Sequence, residues 1–73
     1  MRLTALLFKD SQAVRNKHPY IRKGQALMNA LYDRAPALYA TITGTEADCF
    51  YVDDRIQAFY RFIAENEHKP WSS

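Results

Sequence analysis

Apolar residues recur at helical spacing along most of this chain. The strongest stripe is Ile56, Phe59, Tyr60 and Ile63, at i, i+3, i+4 and i+7. Val52 falls in the same arc, and Asp54, Gln57, Arg61 and Glu65 fall opposite. This pattern predicts a helix over about 53–65. Asp53 or Asp54 would cap its first N–H groups, where a carboxylate also suits the positive end of the helix. The stretch from Asn66 to Ser73 has no periodicity, and Pro70 cannot continue a helix, so 66–73 reads as a loose tail.

A second helix is predicted over about 20–34. Tyr20, Gly24, Leu27, Met28, Leu31 and Ala35 share one arc, which assigns Tyr20 to the core, with Arg22, Asn29 and Asp33 opposite. Gly24 on the apolar side costs about 1 kcal/mol of helix propensity and would let another helix approach closely. Pro36 suits the first turn of a third helix over about 36–42, with Leu38, Tyr39 and Ile42 as its core candidates. Gly44 falls at the position just past that helix's C-cap. Thr45-Glu-Ala-Asp48 has the form of a short capping box, leading into an irregular stretch through Val52.

The N-terminal segment gives a divided signal. Leu3, Leu6, Leu7, Ala13 and Val14 share an arc, but Asp10 lies in its middle, and a buried carboxylate is costly unless paired. The expected solution is a new helix over about 11–17 capped by Asp10 or Ser11. Residues 1–10 would then form an apolar arm whose Leu3, Leu6, Leu7 and Phe8 need a surface to bury against. The fold class expected is all-α: three to four short helices over 11–65, an N-terminal arm over 1–10 and a tail over 66–73.

At 73 residues and 48% hydrophobic composition the chain is a single domain rather than a disordered linker, with no room for a cleft between two lobes. A core of this size supplies roughly 3–5 kcal/mol of net stability, so help from a partner is expected. The one cysteine, Cys49, cannot form an internal disulfide, which suits a reducing cytoplasm. The apolar run between Arg2 and Lys9 is too short for a signal-peptide core, and no stretch is long enough to span a membrane.

Charge is divided unevenly. Residues 1–36 carry Arg2, Lys9, Arg15, Lys17, Arg22, Lys23 and Arg34 against Asp10 and Asp33, a net +5; the remainder is net −3. The stretch from Arg15 to Lys23 holds four of the basic groups and no acid. Arg15, Lys17, Arg22 and Lys23 are therefore a candidate patch for phosphate or an acidic protein surface. A solvated hinge between helices would use the same residues.

Catalytic and metal chemistry have little support. Glu46, Asp48, Asp53 and Asp54 lack the spacing of a calcium loop, and Cys49, His18 and His68 lack zinc-ligand spacing. Cys49 between Asp48 and Phe50 reads as a small buried hydrophobe rather than a nucleophile. No cofactor, metal site or catalytic residue is expected. A helix-turn-helix around Pro36 fails as a base reader, because 36–42 carries no Arg, Lys, Asn or Gln.

Three segments carry a resemblance: Arg22-Lys-Gly-Gln-Ala-Leu-Met-Asn-Ala-Leu31, Gly44-Thr-Glu-Ala-Asp-Cys-Phe-Tyr-Val-Asp53 and Ile56-x-x-Phe59. In their order, and in length, composition and general appearance, the chain resembles small host-takeover proteins of lytic phages, in particular RNA polymerase inhibitors and antiterminators. The resemblance implies a non-enzymatic protein of the host bacterial cytoplasm. Its partner would be host RNA polymerase, at the N-terminal part of the largest subunit near the RNA exit channel, with nascent RNA nearby. Blocked initiation and read-through of intrinsic terminators would follow, with no membrane and no small-molecule substrate involved. On that reading Met1, Arg2, Leu3, Leu6, Leu7 and Phe8 would bind the partner, with the basic patch against polymerase or RNA. Two alternatives use the same features: a phage protein aimed at another host protein, and a non-specific nucleic-acid-binding helical module.

Overall fold

Residues 2–69 are described by the structure, a computed structural model. They form four helices and no strand: α1 (Leu3–Lys17), α2 (Lys23–Arg34), α3 (Pro36–Ile42) and α4 (Ile56–Asn66), the last entered through a single 3₁₀ turn, Asp53–Arg55. The all-α expectation holds. The core gathers Leu3 and Leu7 of α1, Leu27, Met28 and Leu31 of α2, Leu38 and Ile42 of α3, Cys49 of the connecting loop, and Phe59 and Ile63 of α4.

Two elements form where local signals alone place them. Helix α3 has Pro36 at its first position, and Gly44 follows the C-cap with φ +82°. That left-handed conformation suits glycine, which has no Cβ to crowd the carbonyl. The stripe of α4 buries Phe59 and Ile63 and half-buries Ile56 and Tyr60, while Val52 stays exposed because the chain is extended there, before the helical geometry begins.

The N-terminal arm does not exist as a separate segment. Helix α1 runs unbroken through Asp10 and Ser11, and Leu3 and Leu7 are buried in the common core. Asp10 is tolerated because Arg34 of α2 bonds it, Nε to Oδ2 at 2.7 Å and Nη2 to Oδ1 at 3.3 Å. Ser11 does not cap: its hydroxyl donates to the Phe8 carbonyl one turn back, at 2.8 Å, inside the helix. The boundary expected between residues 10 and 11 is therefore absent.

Tyr20 is not core. Helix α2 begins only at Lys23, after an extended Arg22, and Tyr20 stands fully exposed in the turn between α1 and α2. From Gly24 onward the arc is the buried face of α2, but the helix does not reach back far enough to bury the tyrosine. The tail also begins later than expected: Asn66 is the last residue of α4, and Glu67 accepts hydrogen bonds from the start of α1. Residues 70–73 and Met1, parts of the expected tail and arm, lie outside the described residues.

Two carboxylates cap helices distant in sequence. Neither α1 nor α2 has a side-chain cap of its own. Glu67 accepts from the Leu3 N–H at 2.9 Å at the start of α1, and Asp53 accepts from the Gly24 N–H at 3.1 Å at the start of α2. Asp53 or Asp54 was expected to cap the helix that follows, but the Asp53 carboxylate turns to α2 and neither the 3₁₀ turn nor α4 has a side-chain cap. Thr45–Asp48 forms a turn rather than a helix start. Asp48 accepts from Gly44 N–H at 2.9 Å and Phe50 N–H at 3.0 Å, and the Thr45 hydroxyl accepts from Ala47 N–H at 3.2 Å.

Gly24 does permit a close approach, though by a loop rather than a helix. A Cβ there would stand 2.0 Å from the Cys49 carbonyl oxygen, so the 43–52 connection packs directly on the α2 backbone. The Cys49 thiol in turn donates to the Gly24 carbonyl at 3.5 Å.

Candidate interaction groove

The outward side of α1 is set by helical geometry. With Leu3, Leu7 and Ser11 turned inward, Ala5, Phe8, Gln12 and Arg15 follow one another along the side that faces α4. Between them and Ile56 and Tyr60 of α4 lies a groove of about 450 Å³, with Leu27 of α2 also lining it and Lys23 at the start of α2. Phe8 stands at the groove 55% exposed, unusual for a phenylalanine with an apolar cavity beside it. The half-buried Tyr60 phenol, neutral like any tyrosine near neutral pH and pushed further from ionisation by desolvation, forms part of the wall.

The charged side chains of the groove are both basic. Arg15 is half-buried, and its Nε is closed off from solvent with no hydrogen-bond partner. Lys23 is exposed. The other two members of the expected basic patch behave differently. Lys17 is exposed at the end of α1. Arg22 turns to the loop, donating a hydrogen bond to the Phe50 carbonyl and lying 4.0 Å from an Asp53 oxygen. One of the four expected phosphate or protein contacts is thus a loop clasp.

The expected apolar contacts divide in the same way. Phe8 is available, Leu6 is half-buried, and Leu3 and Leu7 are core. Arg2 is bonded to Glu67, at 2.9 Å from Nε and 2.7 Å from Nη2. The structure brings Phe8, Arg15 and Lys23 to one groove and withdraws Leu3, Leu7 and Arg22 from it. Ala5, Gln12, Ile56 and Tyr60 were missed as lining residues. Reading α1 as one helix would have found the first two, since residues 5, 8, 12 and 15 follow helical spacing.

Elsewhere, a hollow of about 170 Å³ is lined by Met28, Tyr39, Thr43, Asp48, Phe50 and Tyr51. Tyr32 packs edge-on against Tyr39 with ring centres 5.0 Å apart. The Asp48 oxygens that could give this hollow chemistry are both spent on backbone N–H groups. Cys49 is sealed in the core, and burial pushes its thiol up to about 12, which leaves no thiolate for nucleophilic work near neutrality. Among the described residues no group of three or more His, Cys, Asp or Glu could hold a metal ion, and no helix is long and apolar enough to cross a membrane.

No protein-family model, curated protein or solved structure matches this chain.

Proposed function

We propose that this chain is a non-catalytic binding module that acts on host RNA polymerase, inhibiting initiation and promoting read-through of intrinsic terminators. The observation that carries the reading is the exposed Phe8 beside an apolar groove whose charged groups, Arg15 and Lys23, are both basic. An exposed aromatic with a neighbouring cation is the usual make-up of an interface anchor. The resemblance to phage transcription inhibitors supplies the partner. Phe8 would anchor on the largest subunit, and Arg15, Lys17 and Lys23 would face acidic polymerase surface or emerging RNA near the exit channel. A domain seated there would narrow the space in which a terminator hairpin forms.

The test is capture of polymerase from nuclease-treated bacterial lysate by the tagged chain, followed by promoter and terminator assays with purified enzyme. Near-stoichiometric polymerase subunits are expected. Phe8→Ser should abolish capture while leaving the melting temperature close to wild type, because Phe8 is largely exposed. Capture of a different protein, with polymerase absent, would discard the polymerase and keep a protein-binding module. Retention only when nucleic acid is left intact would favour the nucleic-acid reading. In that case log affinity would fall by about 0.9 per phosphate contact for each decade of salt.

A further inference from the structure

We propose that the groove between α1, α2 and α4 is a binding site for a small amphiphilic anion, a carboxylate carried on an unbranched apolar chain. The site shares Phe8, Arg15 and Lys23 with the face described above but does not depend on polymerase being the partner.

Three observations converge on that ligand. The cavity, about 450 Å³, is within the size range of small-molecule sites, and its walls are mainly apolar, with Ala5, Phe8, Leu27 and Ile56 among them. Its charged lining is entirely cationic, Arg15 and Lys23, with no aspartate or glutamate. Arg15 also differs from the other arginines that hold acceptors. Arg34 is satisfied by Asp10, Arg2 by Glu67, Arg22 by the Phe50 carbonyl and Arg55 by the Thr45 carbonyl, whereas the Arg15 Nε is sealed from water with no acceptor. A carboxylate meets a guanidinium in matched, paired hydrogen bonds, and with Nε closed off the Arg15 Nη groups are the ones left to take it. A second copy of the chain is a poor occupant, because two grooves brought face to face would set like charges against each other. A cationic amphiphile would meet the same repulsion.

The geometry orders the ligand as well. Ala5 and Arg15 lie about 15 Å apart along α1 by the helical rise. A medium-length acyl chain laid along Phe8 towards Ala5 would place its carboxylate between Arg15 and Lys23.

The experiment is a calorimetric titration of the full chain with decanoate below its micelle concentration, with backbone amide NMR alongside. Saturable one-to-one binding is expected, with amide shifts centred on Ala5, Phe8, Gln12 and Leu27. Decyltrimethylammonium, with the same chain and the opposite charge, should bind at least about tenfold more weakly, as the loss of a charge-assisted pair implies. Arg15→Gln with Lys23→Gln should erase that preference without moving the NMR shifts of the core. Lys23→Gln alone, at an exposed side chain, gives the same comparison if the double variant does not fold. Ala5→Trp should block both ligands by filling the groove. Equal affinity for the two amphiphiles, or no saturation with decanoate, would overturn the proposal. Phosphatidylglycerol vesicles distinguish the source: protein that moves onto vesicles while leaving monomeric decanoate unbound would assign the face to a membrane surface and likewise overturn the site.

Discussion

Gly24 fixes how close the 43–52 connection can come to α2. Alanine normally stabilises a helix interior over glycine by about 1 kcal/mol. Here the added Cβ would stand 2.0 Å from the Cys49 carbonyl oxygen and 3.0 Å from an Asp53 oxygen. The nearer atom is backbone and cannot rotate away, so steric cost should outweigh propensity. Gly24→Ala is expected to lower stability by about 3 kcal/mol, at the upper end of overpacking costs. A thermal melt followed by circular dichroism should show the midpoint falling by more than roughly 10 °C; a midpoint unchanged or raised would mean the loop shifts aside at little cost. The need for a small residue was legible in the sequence, because Gly24 sits in the arc of Leu27 and Leu31. Its partner was not, because the 43–52 stretch has no periodicity from which to place it.

At the scale of elements, α1 separates local from distant information. Its apolar stripe was legible, but its continuity was not. The residue that appeared to break it, Asp10, is neutralised by Arg34, 24 positions away in the chain, and no local rule connects the two. Leu3 and Leu7, expected to bind a partner, are core for the same reason, and Leu6 is half-buried. Replacing all three by serine would therefore unfold the domain rather than test its binding. Leu7→Ala alone, at a fully buried side chain, should cost about 2–5 kcal/mol. That is comparable to the net stability of a domain this small, so denaturant titration should find a large unfolded fraction without denaturant. Phe8→Ser, one position along and half outside, should leave the midpoint nearly in place. Helices α3 and α4 were legible throughout, because Pro36, Gly44 and the 56–63 stripe are local signals that tertiary contacts reinforce. The groove needed the tertiary arrangement: no sequence pattern says that Tyr60 and Phe8 share a cavity.

Across the whole molecule, the charge division proves partly self-complementary. The basic first half and acidic second half meet at Arg2 and Glu67, 2.7 Å apart, and more loosely at Arg22 and Asp53, 4.0 Å apart. Part of the charge that suggested an external partner is thus spent on closing the fold, and the remainder at Arg15, Lys17 and Lys23 marks the candidate face. The Arg2 guanidinium, with the Leu3 N–H assisting, holds the Glu67 carboxyl below its usual value of 4.5. The folded state therefore binds this proton less readily than the unfolded chain. The stabilisation is fully present above the ordinary carboxylate pKa and is lost as pH falls through the lower folded value. Glu67→Gln should melt below wild type at pH 7, with the two curves converging as the pH is lowered below about 4. A constant gap between them would show that Glu67 acts through packing rather than charge.

The sealed Cys49 gives the chain a record of its own openings. It is the sole sulfhydryl of the sequence and lies at the centre of the core, beneath the loop that Gly24 admits. While folded, the chain offers oxidants and alkylating reagents no thiol. Each excursion to an open state exposes one, and a covalent mark made then cannot be undone by refolding. A population aged in an oxidising medium would accumulate disulfide-linked dimers in proportion to how often its members had come apart, so a non-reducing gel would register the history of the sample as well as its present state.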